Sequence, residues 1–227
     1  MSSVQNNLEK IKQQIERSCA NSNRSIEDVK IVAVTKYVDT QRMLEAFEAG
    51  LLHIGESKVQ AAKEKWEQLA GKGVWHFIGH LQTNKVKDMI DKFKYIHSLD
   101  RLSLAKEIEK RAAPINKTVE CFVQVNISGE ETKHGLEPDQ VESFLAQLEG
   151  YKHIKVIGLM TMAPYEEDPE ATRPVFRSLK ALQVELQQKG WEHAPLTELS
   201  MGMSNDYHVA IEEGATYIRL GSTLVGE

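Results

Sequence analysis

Residues 31–35 read Ile-Val-Ala-Val-Thr, a mostly β-branched run in which apolar and polar positions do not alternate. A strand that is covered on both faces has this composition, and such strands are typical of parallel sheets flanked by helices. An amphipathic helix is predicted before the run, because apolar residues recur at spacings of three and four at Val4, Leu8, Ile11 and Ile15. We therefore expect an N-terminal helix followed by a parallel βα architecture.

Strand and helix signals alternate along the rest of the chain. Further strands are predicted at 51–54, 74–78, 93–97, 119–127, 155–162, 196–200 and 216–220. Helices are predicted between them, with starts at Asp39 or Thr40, at Thr83 or Asn84, at Asp100, near Pro138 and at Asp206. Eight strands spaced by roughly 24 residues fit a closed (β/α)₈ barrel. We predict one α/β domain over residues 1–227, a TIM barrel with an extra N-terminal helix.

An open, doubly wound sheet is the alternative fold for this alternation. That fold is favoured when a Gly-rich nucleotide fingerprint follows a strand. The sequence contains no GxGxxG after the first strand and no GxxxxGK[ST] motif. The barrel is therefore the preferred prediction.

Composition narrows the class of protein. The 227 residues are 41% hydrophobic and 27% charged, which is typical of a globular chain, and the net charge of −5 gives no general electrostatic reason to bind nucleic acid or an anionic membrane. The two cysteines, Cys19 and Cys121, are too few for a disulfide framework and fit a reducing compartment. No apolar window is long enough to span a membrane, and the N-terminus lacks a signal core. We expect a soluble, cytoplasmic protein.

Lys36 follows the first predicted strand, at the end of the barrel where active sites lie. Partial desolvation there would raise the neutral fraction of its amine, which is the condition for a Schiff base with a carbonyl compound. The simpler interpretation is a lysine that reaches solvent from a strand end.

Two loops of small residues follow the last two strands. Residues 200–206 read Ser-Met-Gly-Met-Ser-Asn-Asp, and residues 219–223 read Arg-Leu-Gly-Ser-Thr. Backbone N–H groups together with the hydroxyl of Ser200 or Ser204 could face an anion, although each loop alone could be an ordinary helix cap or turn. Barrels frequently bind phosphate after strands seven and eight, so the two loops and Lys36 together predict a phosphate-bearing aldehyde as ligand.

The sequence resembles the pyridoxal phosphate homeostasis family, single-domain relatives of the alanine racemase barrel. The matching segments are residues 32–36, 53–56, 75–85, 124–127, 158–162, 199–204 and 219–221. The resemblance implies the fold-type III class of pyridoxal phosphate proteins. It implies that Lys36 carries the cofactor, that Ser204 and the Gly221-Ser222 turn hold its phosphate, and that Arg219 faces the pyridine nitrogen. The predicted cofactor-binding residues are Lys36, Ser200, Met201, Ser204, Arg219, Gly221 and Ser222.

Four other positions stay open at the level of sequence. Ser57 stands where the family usually has Asn, which leaves a polar contact from that side unassigned. Lys133, in a predicted mouth loop, is either solvated or involved in cofactor traffic. His80 either lines the pocket or is structural. His76 and His80 are four residues apart, but no further ligand is evident, so no metal site is predicted.

Two classes of function compete: a carrier that holds pyridoxal phosphate, and an enzyme that uses it on amino acids. Racemases of this barrel class add a β domain that supplies a second base, whereas this sequence ends at Glu227, just after the predicted phosphate turn. We therefore expect a monomeric carrier without turnover and without catalytic residues, with apoenzymes as transient recipients. The alternatives are a racemase-like enzyme and a cofactor-free Schiff-base aldolase.

Overall fold

Eight parallel strands close into a barrel in the part of the chain that the computed structural model describes, residues 3–130 and 133–226. The strands are β1 (Lys30–Val34), β2 (His53–Glu56), β3 (Val74–Phe77), β4 (Tyr95–Leu99), β5 (Val119–Gln124), β6 (Ile154–Met160), β7 (Glu198–Met203) and β8 (Tyr217–Leu220). Each strand pairs with the next, and β8 pairs with β1 in parallel, with Lys30 opposite Tyr217. The predicted barrel is confirmed, and the open sheet is excluded.

Seven α-helices surround the strands in the described residues. They are α1 (Ser3–Asn21), α2 (Thr40–Glu48), α3 (Val59–Gln68), α4 (Leu102–Ala112), α5 (Val141–Ala146), α6 (Arg173–Gln187) and α7 (Tyr207–Glu212). The predicted apolar stripe of α1 is buried, and this helix packs against α7 and α2. It thereby covers the outside of the barrel where β8 meets β1.

Two local predictions about helices are wrong. The segment after β3 is a 3-10 helix over Thr83–Asp88 instead of an α-helix, because the chain turns at Met89 after less than two α-helical turns. Asp100 does not cap α4: the residue at the N-cap is Arg101, which makes no capping hydrogen bond, and its guanidinium binds the Asp100 carboxylate at 2.6 Å. A pattern of apolar spacing alone does not distinguish these arrangements.

The core has two layers. The larger layer lies between the strands and the helices, and a smaller cluster inside the barrel consists of Val32, Tyr95, Phe122, Ile157, Met160 and Tyr217. Cys19 and Cys121 are both buried and unpaired. None of the described helices combines the length and the apolar content needed to cross a bilayer. The buried residues also include polar side chains such as His76, His97 and Arg219, and the candidate site lies at the carboxyl ends of the strands.

Candidate functional site

A cavity of about 740 Å³ opens at the carboxyl ends of the strands. Its wall includes five of the predicted cofactor-binding residues. Four of them follow strand ends at the barrel mouth, and Arg219 comes from β8. The five are Lys36, Ser204, Arg219, Gly221 and Ser222. Cavities of this size accommodate a cofactor or a small ligand. The structure thus brings most of the predicted set onto one wall.

Lys36 lies two residues beyond β1, on the cavity wall. Its side chain is exposed rather than partly buried as expected, and its Nζ lies 5.0 Å from the centre of the Tyr37 ring. The preceding residue is held firmly: the Thr35 hydroxyl donates to the buried Glu56 carboxylate at 2.7 Å, and Lys65 Nζ donates to the Thr35 carbonyl oxygen at 2.7 Å and to Glu56 at 2.9 Å. This cluster fixes the backbone that carries Lys36. Sequence reasoning missed it, because Lys65 comes from a helix face.

The loops after β7 and β8 meet at Ser204. Its hydroxyl oxygen accepts from the Gly221 N–H at 3.3 Å and from the Thr223 hydroxyl at 3.1 Å. Close by, Asp206 accepts from the Met203 N–H at 2.6 Å. Burial raises the pKa of its carboxyl above the ordinary value, although that hydrogen bond and the charge of Arg219 act to lower it. Hydroxyls and backbone N–H groups gathered in this way can bind an anion.

Arg219 is almost fully buried, although its guanidinium also reaches the cavity wall. It donates to the Ser200 hydroxyl oxygen at 2.6 Å and to the Thr161 carbonyl oxygen at 2.9 Å. Burial lowers the pKa of this guanidinium to about 10, and the nearby Asp206 carboxylate acts in the opposite direction. A guanidinium has five N–H donors and no acceptor, so Arg219 can present further donors to a ligand.

Ser200 and Met201 lie elsewhere than expected. The sequence pattern ends the seventh strand at Ser200, but β7 runs on to Met203, with a register shift against β8 between Ser200 and Met203. Both side chains are therefore buried within the strand, and neither belongs to the cavity wall. Ser200 contacts Arg219 without itself reaching the cavity wall. The cofactor role assigned to Met201 stays a prediction.

His76 and His80 do not form a pair. His76 is fully buried inside the barrel, whereas His80 lines the cavity beside the stacked ring of His134, with ring centroids 4.2 Å apart. His80, Asp100 and His134 place three ligand atoms within 4.8 Å of one another. The carboxylate of Asp100 is already paired with Arg101, which competes with a metal ion for it.

A row of polar groups crosses the barrel interior and was not predicted; all of them are buried except His53, which is partly buried. His53, His76 and His97 stand on three consecutive strands and are joined by hydrogen bonds of 2.8 and 2.9 Å, and His97 reaches the Ser200 hydroxyl at 2.8 Å. We call these four residues the histidine chain. Burial holds the pKa values of His76 and His97 well below the ordinary 6.5. The sequence signal is one histidine per strand, at spacings of 23 and 21 residues that match the βα repeat.

Two of the open positions have defined places. Ser57 lines the cavity on the side of β2 and β3. Lys133 is largely buried, and its Nζ donates to Glu130 at 2.9 Å and to the Met162 carbonyl oxygen at 3.4 Å, so it is not simply a solvated lysine.

The sequence of this chain is similar to that of a known protein family and its members. The family of the alanine racemase N-terminal domain matches residues 3–227. The pyridoxal phosphate homeostasis protein of Aquifex aeolicus is 43% identical over 221 residues, which are 97% of this chain and 96% of that protein.

Solved structures agree with this assignment. PipY of Synechococcus elongatus with pyridoxal phosphate bound superposes with a TM-score of 0.82 at 33% identity, covering 94% of this chain and all of that chain. An alanine racemase of Clostridium difficile shares the fold, with a TM-score of 0.72 at 16% identity over 93% of this chain and 56% of that chain. With a cavity that gathers Lys36, Ser204 and Arg219 at the mouth of such a barrel, this chain belongs to the pyridoxal phosphate homeostasis protein family, built on the alanine racemase N-terminal domain.

Proposed function

We propose that this protein binds pyridoxal 5'-phosphate in the mouth cavity, links it covalently through Lys36, and takes part in its homeostasis and carriage without turnover. The observation that carries the proposal is one cavity wall that combines an amine, a hydroxyl and N–H cluster, and a buried guanidinium. The proposed location is the cytoplasm, the proposed state is a monomer, and the proposed recipients are apoenzymes that use this cofactor.

The residues of the wall fit the chemical groups of the cofactor. Gly221 leaves room: a Cβ built there would come no closer than 3.6 Å to any other atom, so its backbone can be approached from the cavity. The hydroxyls of Ser204 and Thr223 lie beside that backbone and suit a phosphate dianion. The exposed Lys36 amine is free to reach into the same cavity.

Each residue then has a defined task. Pyridoxal phosphate supplies an aldehyde that reacts with amines and a ring that accepts electron density. The Lys36 amine binds the aldehyde carbon with loss of water, while the rigid Thr35, Glu56 and Lys65 cluster holds the adjoining backbone in place. The loops around Ser204 and Gly221 hold the phosphate. Arg219 donates to the ring nitrogen.

Arg219 also supports the absence of turnover. Because a guanidinium donates but does not accept a proton, it stabilises an unprotonated pyridine and opposes a pyridinium. An unprotonated ring withdraws electron density weakly, and amino-acid chemistry depends on that withdrawal. The names of the curated relatives, which are homeostasis proteins, are in keeping with this role.

Replacing the lysine tests the covalent link. We expect Lys36→Ala to abolish the visible absorbance of the protein saturated with pyridoxal phosphate and to remove the borohydride-stable tag from the peptide that contains residue 36. The fold should persist, because Lys36 is exposed and its ring contact is with the neighbouring Tyr37. Absorbance and peptide mass mapping are the measurements.

Lys133→Ala is the matched control, since Lys133 is a second lysine near the barrel mouth that is held by Glu130 and Met162. It should keep the band and the tag on Lys36. A band that survives in Lys36→Ala with a tag on another lysine contradicts the assignment.

The absence of turnover has its own measurement. Wild-type protein saturated with cofactor should exchange the α-proton of L- or D-alanine with heavy water far more slowly than a dedicated racemase does, because Arg219 disfavours the pyridinium. Deuterium at Cα is followed by NMR. Exchange or racemisation at racemase-like rates would support the enzyme instead.

A further inference from the structure

The histidine chain connects the barrel interior to the cavity wall. His53 Nδ1 lies 2.8 Å from His76 Nε2, and His76 Nδ1 lies 2.9 Å from His97 Nε2. The chain continues from His97 Nδ1 to Ser200 Oγ at 2.8 Å, and Ser200 Oγ accepts from Arg219 Nη1 at 2.6 Å. These contacts form an unbroken series from β2 to the guanidinium on β8.

The series has one direction of donation. Arginine has no acceptor, so Ser200 Oγ must accept from Arg219. The Ser200 hydroxyl is fully buried, and among the described residues His97 Nδ1 is the one recorded partner for its proton, so the hydroxyl would be left without an acceptor unless it donates there. A neutral His97 carries its proton on Nε2 and donates to His76, which in turn donates from Nε2 to His53. This direction of donation requires the Nε2–H tautomer in all three histidines.

The recorded hydrogen bonds of Arg219 go to neutral acceptors. No carboxylate of the described residues lies within 4.0 Å of its guanidinium, and its recorded acceptors are the Ser200 hydroxyl and the Thr161 carbonyl. A serine hydroxyl can rotate to donate or accept, whereas a carbonyl always accepts. The Ser200 hydroxyl is therefore the acceptor of Arg219 whose orientation can change, and His97 determines that orientation.

We propose that His97 is a positioning residue for Arg219: by accepting from the Ser200 hydroxyl, it keeps Ser200 Oγ as an acceptor and holds the guanidinium where its remaining donors face the cavity. This inference rests on the proposed function and deepens it. His76 accepts from His97, and His53 accepts from His76, so each ring holds the proton position of the next. The histidine chain thereby sets the direction of the Arg219 N–H that meets the ring nitrogen.

The first test uses the protein without cofactor. NMR of protein labelled with ¹⁵N in its histidines should show His97, His76 and His53 as neutral Nε2–H tautomers at pH 7.5. An Nδ1–H tautomer at His97 would reverse the direction of donation and overturn the proposal, whatever the protein binds.

The second test separates positioning from general packing. His97→Phe keeps a ring beside Phe122, on which His97 stacks at 4.3 Å, but it removes the acceptor. We expect this variant to bind pyridoxal phosphate about ten-fold more weakly or worse, since a charge-assisted contact is lost. Its affinity for the analogue in which C–H replaces the ring nitrogen should change by less than about two-fold. A merely structural role would weaken both ligands equally, and that result overturns the proposal.

Two further variants complete the design, with affinities measured by equilibrium dialysis. His97→Asn restores an acceptor at the position of Nδ1 and should recover most of the preference for the ring nitrogen. Ser98→Ala is the matched control, because Ser98 is equally buried on β4 and its hydroxyl has no hydrogen-bond partner in the described residues. It should bind both ligands as the wild type does.

Failure of the proposed function gives a different result. If wild-type protein does not bind pyridoxal phosphate, the proposed function fails, and the tautomer measurement still decides the direction of the chain. If wild type binds and tags Lys36 but His97→Phe weakens both ligands equally, only the inference about His97 fails. Should His97→Phe not fold, His97→Asn and the tautomers still test it: Nδ1–H at His97 overturns the proposal.

Discussion

Ser204 is the residue at which the two proposed phosphate-binding loops join. Its hydroxyl oxygen accepts from the Gly221 N–H and the Thr223 hydroxyl, so it is oriented before a ligand arrives. Replacing Ser204 by Ala should weaken pyridoxal phosphate binding by roughly ten- to a hundred-fold, since a hydrogen bond to a charged group contributes about 1.5–3 kcal/mol. Titration monitored by absorbance measures the affinity.

Ser57→Ala is the matched control for Ser204→Ala. Ser57 lines the same cavity from the side of β2 and β3, away from the phosphate loops. Its replacement should change affinity by less than about three-fold. Equal losses in the two variants would move the phosphate away from Ser204.

At the residue scale, whether a side chain lines the cavity depends on its place relative to the observed strand ends and not on its residue type. Lys36, Ser204 and Gly221 follow strand ends, and the structure places all three on the cavity wall. Ser200 has the same residue type as Ser204, but it lies inside β7, behind the wall. The supporting contact of Lys65 with Glu56 joins a helix to a strand, and sequence spacing does not report such contacts.

At the element scale, the close approach of α7 to β7 depends on Gly202. Its φ is +90°, and a Cβ there would lie 2.6 Å from the Ala210 Cβ, a contact that requires the strand or helix to move. Gly202→Ala should therefore lower the free energy of unfolding by roughly 2 kcal/mol or more. Urea denaturation followed by circular dichroism measures it.

Gly221→Ala provides the contrast within the same pair of loops. The φ of Gly221 is not positive, and its Cβ would meet Val34 at an ordinary 3.6 Å. Stability should change by less than about 1 kcal/mol, although the added methyl group borders the proposed phosphate site. A loss of stability equal to that of Gly202→Ala would show that both loops are equally constrained.

Element type was predicted where the segment was long and strongly periodic. The apolar stripe of α1 is an example. The segment after β3 proved instead to be a short 3-10 helix, because Val86, Met89 and Ile90 reach the core from two tight turns. The end of β7 was placed three residues early. Gly202 resembles a turn residue in sequence, but here it lies within the strand.

At the scale of the whole molecule, the βα rhythm predicted the barrel because closure needs only eight covered strands. The contents of the lumen were less predictable. Tyr95, Phe122 and Tyr217 fill part of it as expected of a packed core, but the histidine chain fills the rest with polar groups. Polar groups are tolerated in the lumen because each one forms a hydrogen bond with the next. These hydrogen bonds join side chains of different strands, and that arrangement is a property of the closed barrel.

The histidine chain makes the stability of the barrel dependent on pH. Burial keeps the pKa values of folded His76 and His97 well below 6.5, so these rings stay neutral in the folded protein while the unfolded chain takes up protons below that pH. Where the unfolded state binds more protons, stability rises with pH and falls on acidification. From pH 7.5 to 5.5 the two rings together should lower the free energy of unfolding by roughly 2–3 kcal/mol.

Urea unfolding at pH 7.5 and at pH 5.5 measures this loss of stability. Both pH values lie above the range in which carboxyl groups ordinarily titrate. His97→Phe should show about half of this loss, because one ring no longer contributes to the difference in bound protons. His208→Gln, whose side chain lies outside the histidine chain, should behave as the wild type. Equal wild-type stability at pH 5.5 and 7.5 would mean that the folded barrel takes up those protons itself. His97 would then no longer be available in mild acid as an acceptor for the Ser200 hydroxyl.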